Sequence, residues 1–199
     1  MKKFLHVGCG AATKENTTPG FNSQSWQEIR FDIDPDCKPD VIGTIVNMSG
    51  VATGSVDAIF SSHNIEHVYA HEVPTVLGEF MRVLGVDGFV VLTCPDLQSV
   101  CEAVARDNLL DPLYQSPAGP IAALDILYGH RASLAVGKHY MAHKCGFTYT
   151  ALSRLFLVAG FKSVFGGRRP QAFDLWLVAT KQPKPEDELK KLAREHLPP

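Results

Sequence analysis

The run Phe89-Val90-Val91-Leu92 is wholly apolar and lies between the turn Asp87-Gly88 and Pro95. A strand of that kind suits a parallel sheet, where helices cover both faces. The segment before it has a different period. From Glu72 onward, Val73, Val76, Leu77, Phe80 and Leu84 recur at helical spacing until Gly85, which predicts a helix with one apolar stripe.

The rest of the chain continues the alternation. Phe4 to Val7, Glu28 to Ile33, Val41 to Val46 and Ser55 to Ser62 read as strands. Asp96 is placed to cap a helix reaching about Arg106, Ile121 to Tyr128 reads as helical, and Thr148 to Ala159 forms a further helix closed by Gly160. Phe161 to Phe165 and Phe173 to Thr180 are two further strands. The connection Gly166-Gly167-Arg168-Arg169-Pro170 makes them a hairpin. Residues 11–25, 107–120 and 129–147 read as loops or irregular chain. Strands alternating with helices imply an α/β fold with a mostly parallel sheet, helices on both faces and an antiparallel C-terminal hairpin.

A chain of 199 residues suits one domain. We expect that domain over residues 1–182, with 107–147 as a substrate-covering insertion. Residues 183–199 form a charged C-terminal helix: Glu186, Asp187 and Glu188 sit in its first turn and Lys190, Lys191 and Arg194 follow, the order the helix dipole favours. The formal net charge is -2 and the basic residues are scattered. That excludes the electrostatic footprint of a nucleic-acid binder. No apolar run reaches the roughly 20 residues that cross a bilayer, and the apolar stretch after Lys2-Lys3 stops at Gly8, too short for a signal-peptide core. Five cysteines, an odd number without a C-x-x-C pair, point to free thiols and a cytoplasmic location.

Ligands of open parallel sheets bind beyond the carboxyl ends of the strands. Four segments converge there. Gly8-Cys9-Gly10 follows the first strand, and its glycines allow a sharp turn and a close approach to a ligand. Asp32 ends the second strand at about the spacing where a carboxylate accepts both hydroxyls of a ribose; Asp34 reads as a turn residue before Pro35. Thr44 to Met48 follows the third strand, with Ile45 and Met48 able to give an adenine ring apolar contact. Ser61 to His67 follows the fourth, with polar groups facing the ligand's far end or a substrate.

These motifs together resemble the class I S-adenosylmethionine-dependent methyltransferases, most nearly the broad methyltransferase type 11 group. The likeness rests on Leu5-His6-Val7-Gly8-Cys9-Gly10, Phe31-Asp32-Ile33-Asp34-Pro35, the stretch Ser55 to His67, and Glu79-Phe80-Met81-Arg82-Val83-Leu84 ahead of Gly88. Gly146-Phe147-Thr148, Ala159-Gly160-Phe161 and Asp174 to Ala179 extend it to about residue 181. The resemblance implies a Rossmann-like, seven-stranded sheet and S-adenosylmethionine as cofactor. Gly8, Cys9 and Gly10 then lie against its methionine part, Asp32 and the adjoining Ile33 at the ribose, Ile45 and Met48 at the adenine, and Ser62 and His63 near the sulfonium. The pattern departs at His6, where the family usually carries an acid, at Ala12, often a glycine, and at Thr44, commonly an acid.

Two groups of histidines offer further chemistry. His63-Asn64-Ile65-Glu66-His67 matches H-x-x-E-H, and on a helix His63 and His67 share a face that can grip zinc. A zinc-dependent hydrolase using His63, Glu66 and His67 is therefore the rival reading, and a non-catalytic member of the methyltransferase fold is a third. The main reading assigns no metal. His130, His139 and His143 lie in the insertion that covers the substrate, where a histidine can take a proton from an acceptor hydroxyl or amine. The candidate catalytic residues are His63, His139 and His143, and the expected partner is a small-molecule or sugar-like acceptor.

Overall fold

In a computed structural model, which describes residues 1–198, the sheet has seven strands in the order β3-β2-β1-β4-β5-β9-β8. They are β1 (Lys2–Val7), β2 (Trp26–Asp32), β3 (Val41–Ile42), β4 (Val56–Ser62), β5 (Leu84–Pro95), β8 (Ser163–Arg169) and β9 (Asp174–Thr180). The first five run parallel; β9 is antiparallel to both β5 and β8. Strand order reverses between β1 and β4, so a crevice opens beyond their carboxyl ends. Side chains alternate across the sheet as the pleat requires. Leu5, Val7, Ile59, Val90, Leu92 and Leu177 enter one core, while Phe4, Ala58, Phe60, Val91 and Val178 enter another. The unbroken apolar run in β5 is thus buried on both faces, as its composition predicts.

On the first face lie α1 (Val73–Val83) and α5 (Tyr149–Val158). Their buried stripes are Val73, Val76, Leu77, Phe80 and Val83, and Leu152 and Phe156. The second face lacks a helix between β1 and β2, where residues 11–25 contain a single short 3-10 turn, Lys14–Asn16. Phe21 fills that gap, stacked 4.4 Å from Phe4 and edge-on to Trp26 at 5.2 Å. The closing helix α6 (Glu186–His196) then packs Leu189 and Ala193 into the same cluster. Its charges are arranged as the sequence indicates, but its inner side is apolar, so the tail belongs to the main body.

Between β5 and α5 lie α2 (Leu97–Val104), the strands β6 (Pro112–Ser116) and β7 (Gly119–Ala122), α3 (Ala123–Tyr128) and α4 (Arg131–Ala135). Asp96 caps α2 by accepting from the Gln98 amide. Residues expected to be loop form a small β6–β7 hairpin. Pro112 begins its strand and Pro120 sits on a two-stranded ribbon, positions where a missing amide donor is tolerated. The third strand is shorter than expected, ending at Ile42, because Asn47 donates to the Thr44 carbonyl in a tight turn. Glu79 accepts from the Met48 amide at 2.7 Å and Arg82 donates to the Met48 carbonyl at 2.8 Å, which draws this loop onto α1. Among the described residues no helix is long and apolar enough to cross a membrane.

Candidate active site

The glycine turn leaves β1 in a left-handed backbone, with φ of 66° at Gly8 and 51° at Gly10. A side chain at Gly8 would overlap that of Asn64. The turn is bonded to the end of β2: Gly8 and Cys9 both donate to the Phe31 carbonyl, and the Gly10 amide donates to Asp32 Oδ2 at 2.7 Å. The other carboxylate oxygen of Asp32 accepts from the Asp34 amide at 2.8 Å. One carboxylate therefore holds two loops.

Arg30 holds the same loops from outside. It donates to the carbonyls of Gly10 (2.5 Å), Ala12 (3.2 Å), Cys37 (3.1 Å) and Lys38 (3.0 Å). Nothing in the sequence marks this role, since carbonyl acceptors leave no signature. His6 is buried and bonded to Glu28 at 2.6 Å, and Glu28 also accepts from the Lys14 amide at 2.9 Å. Burial pushes the His6 imidazole below its usual value, against the pull of Glu28. The carboxylate absent at position 6 stands one strand away.

A cavity of about 720 Å³ opens beyond β1, β2 and β4. Among its lining residues are Gly8, Gly10, Asp32, Ile33, Ile45 and His63, six of the expected cofactor residues. Three others are not among them. Met48 is fully buried in the core because α1 pulls its loop inward; Cys9 is buried, its thiol pushed up to about 11 by desolvation; Ser62 is half-buried at the end of β4.

Ser133, Lys138, Tyr140 and Met141, from the segment between β5 and α5, also line this cavity. Tyr140 donates to Asp34 Oδ2 at 2.5 Å and Lys138 lies 3.2 Å from the same oxygen. Asp34 also caps the 3-10 turn Pro35–Cys37, so it is both the turn residue its position suggests and the anchor of the covering segment. The Tyr140 hydroxyl, aided by the Asp36 amide, holds its carboxyl below the usual range.

The histidines separate. His63 lines the cavity with its ring half exposed, in a left-handed backbone with φ of 48°. His139 is exposed and lines neither this cavity nor its neighbour. His143 lines the neighbour, a second cavity of about 260 Å³ bordered by Glu66, Pro95, Tyr128 and Gly146. The i,i+4 grip of the H-x-x-E-H reading is not formed. Ile65–His67 is a single 3-10 turn and the backbone reverses at His63, so His63 and His67 do not share a helical face. Glu66 and His67 instead approach His143, their ligand-type atoms all within 4.8 Å of one another.

Comparison with known proteins follows the same lines. Residues 5–92, from β1 into β5, match the family model described as a methyltransferase domain. No curated protein matches the chain. The fold is similar to that of a SAM-dependent methyltransferase from Methanosarcina mazei, with a TM-score of 0.59 and 14% identity over 92% of this chain and 93% of that one. It is also similar to a SAM-dependent methyltransferase from Archaeoglobus fulgidus (TM-score 0.57, 13% identity, 90% and 86% covered). A third neighbour is the 1,6-didemethyltoxoflavin-N1-methyltransferase of Burkholderia thailandensis, solved with 1,6-didemethyltoxoflavin and S-adenosylhomocysteine bound (TM-score 0.52, 15% identity, 91% and 71% covered).

Proposed function

We propose that this chain, whose residues 5–92 match the methyltransferase-domain family model and whose fold is similar to that of S-adenosylmethionine-dependent methyltransferases, methylates a small-molecule or sugar-like acceptor. The observation that carries the reading is Asp32 at the edge of a cavity beside a left-handed glycine turn, where the strand order of a parallel sheet reverses.

The residues fit the cofactor. Each Asp32 oxygen accepts one backbone amide and keeps a lone pair, so the carboxylate can still receive two ribose hydroxyls. Open space beside Gly10 lets the methionine end approach the backbone. Ile45 and Val46 offer apolar contact to the adenine, and the volume lies within the range of cofactor sites. S-Adenosylmethionine, when bound, supplies an electrophilic methyl group. The chain's own work is positioning, which does most of the catalysis in an in-line displacement. Tyr140 and Lys138 hold the covering segment on Asp34. The acceptor enters from the second cavity, past Pro95 and Tyr128, and His63 borders the place where the two ligands meet. The 1,6-didemethyltoxoflavin bound in the Burkholderia thailandensis neighbour is an example of a small-molecule acceptor. All five cysteines are free, in keeping with a cytoplasmic location.

Calorimetric titration with S-adenosylhomocysteine tests the reading. Wild-type protein should bind saturably, and Asp32→Ala should weaken binding by at least about tenfold, the loss of two charge-assisted hydrogen bonds. Wild-type protein that fails to bind refutes the methyltransferase reading; an Asp32→Ala variant that binds normally refutes the ribose assignment.

A further inference from the structure

We propose that Glu66, His67 and His143 form a binding site for a divalent transition-metal ion in the wall between the two cavities, with an open position that takes an oxygen or nitrogen of the acceptor. This use of the ion rests on the methyltransferase reading; the site itself does not.

Glu66 is 1% exposed, and among the described residues neither of its carboxylate oxygens has a hydrogen-bond partner that meets the geometry of a good bond. A buried carboxylate is costly unless it is paired or coordinates a metal. Its nearest ionic neighbour, His63 Nδ1, stands 3.5 Å away on a half-exposed ring. His67 and His143 face the same carboxylate, with ring centroids 4.9 Å apart. Each uses Nδ1 on a backbone carbonyl: His67 on Ala142 at 3.1 Å and His143 on Ile126 at 2.6 Å. A carbonyl only accepts, so Nδ1 carries the proton and Nε2 keeps a free lone pair. Carbonyl-anchored imidazoles of this kind are the usual outer shell of histidine metal ligands.

The site is held together by the chain itself. The Lys144 and Cys145 amides both donate to the Glu66 carbonyl, at 2.8 and 3.3 Å, which fixes the His143 segment beside the Glu66 turn. The three ligand atoms lie within 4.8 Å of one another. An ion bound at about 2.1 Å spaces its ligands roughly 3–4 Å apart, so side-chain closure of about 1 Å completes the site. Two imidazoles and one carboxylate select zinc, cobalt or iron over calcium and magnesium, and three protein ligands leave coordination open. His67 lines the large cavity while Glu66 and His143 line the smaller one. An ion here touches both compartments. A hydroxyl coordinated to it would release its proton to solvent more readily, with no change of oxidation state.

The test is titration of the chelator-stripped 199-residue chain with cobalt(II), followed by visible absorption and calorimetry. We expect one cobalt per chain. His67→Ala, His143→Ala and the shape-preserving Glu66→Gln should each weaken binding by at least about 30-fold, and His63→Ala by less than about threefold. Circular dichroism checks that each variant folds, and Glu66→Gln decides the matter should a histidine variant not fold. Wild-type protein without saturable binding up to about 1 mM cobalt overturns the site and leaves the Glu66–His63 pair as the whole account of this carboxylate. Binding lost with His63 but kept without His143 also overturns it. Parallel titration with S-adenosylhomocysteine separates the two ideas: cobalt binding without nucleoside binding refutes the methyltransferase reading alone, and the converse refutes the metal site alone.

Discussion

A Cβ added at Gly8 collides with the Asn64 side chain, while one added at Gly10 meets nothing within 4 Å. Both residues hold a left-handed backbone, which costs an ordinary residue about 1–2 kcal/mol. Gly10→Ala should therefore lose about 1 kcal/mol in urea unfolding, and Gly8→Ala about 3 kcal/mol or more, because the chain from Asn64 to His67 must also move. Equal losses would mean that Asn64 yields freely and does not brace the turn. What made this part of the site readable in the sequence is that it is local: a short strand, two glycines one residue apart, and an acid at the end of the next strand. Arg30 and Glu28 escaped that reading because the first acts only through carbonyls and the second through a histidine on the neighbouring strand. Met48 is ambiguous in the sequence, because an apolar residue after a strand suits a core as well as a ring; in the fold it is core.

At the scale of elements, the covering segment is fastened at two places. Asp125 accepts two bonds from the Arg131 guanidinium, at 2.7 and 2.9 Å, at the start of α4. Further on, Tyr140 and Lys138 meet Asp34. Tyr140→Phe removes the shorter bond to the cavity rim. Amide exchange over residues 136–143 should then speed up by about fivefold, the worth of one charge-assisted hydrogen bond at a partly exposed site, with faster release of S-adenosylhomocysteine. Unchanged exchange would show that Lys138 alone holds the segment. The other fastening is sensitive to acid. Arg131 holds the Asp125 carboxyl down at about 2, so its contribution is complete above the ordinary carboxylate range and disappears as pH falls from about 4 to 2. Protection of residues 131–136 should fall across that window in wild-type protein, and Arg131→Ala should remove the transition. The Asp34 fastening is not visible in the sequence, since Asp34 and Tyr140 are 106 residues apart. The helices with long stripes were readable, α1 and α5 above all. The β6–β7 hairpin was not, because prolines at its strand ends look like loop.

For the molecule as a whole, the unusual feature is how the second face of the sheet is closed. With no helix after β1, the cover comes from Phe21 in a loop and from α6 at the far end of the chain. The sequence announces α6 by its charge order but not its docking place. His196, an ordinary polar residue in the sequence, is the joint. It is 2% exposed, bonded to Thr18 at 2.7 Å and 4.2 Å from the Phe21 ring. Desolvation lowers its imidazole to about 4. In the unfolded chain the same group titrates near 6.5. The folded state therefore prefers the neutral ring: its full contribution is present above about pH 6.5 and is lost as pH falls toward 4, when the unfolded chain binds a proton that the folded one refuses. A difference of roughly two and a half units is worth about 3 kcal/mol in a two-state unfolding experiment. His196→Gln keeps a polar partner for Thr18 and cannot titrate. Urea unfolding at pH 7 and pH 4.5 should show wild-type stability dropping by about 2–3 kcal/mol while the variant changes much less. An equal drop in both would move the acid sensitivity away from this joint. A small drop in both would mean that water reaches His196 beneath α6, and that the C-terminal helix opens independently of the sheet it covers.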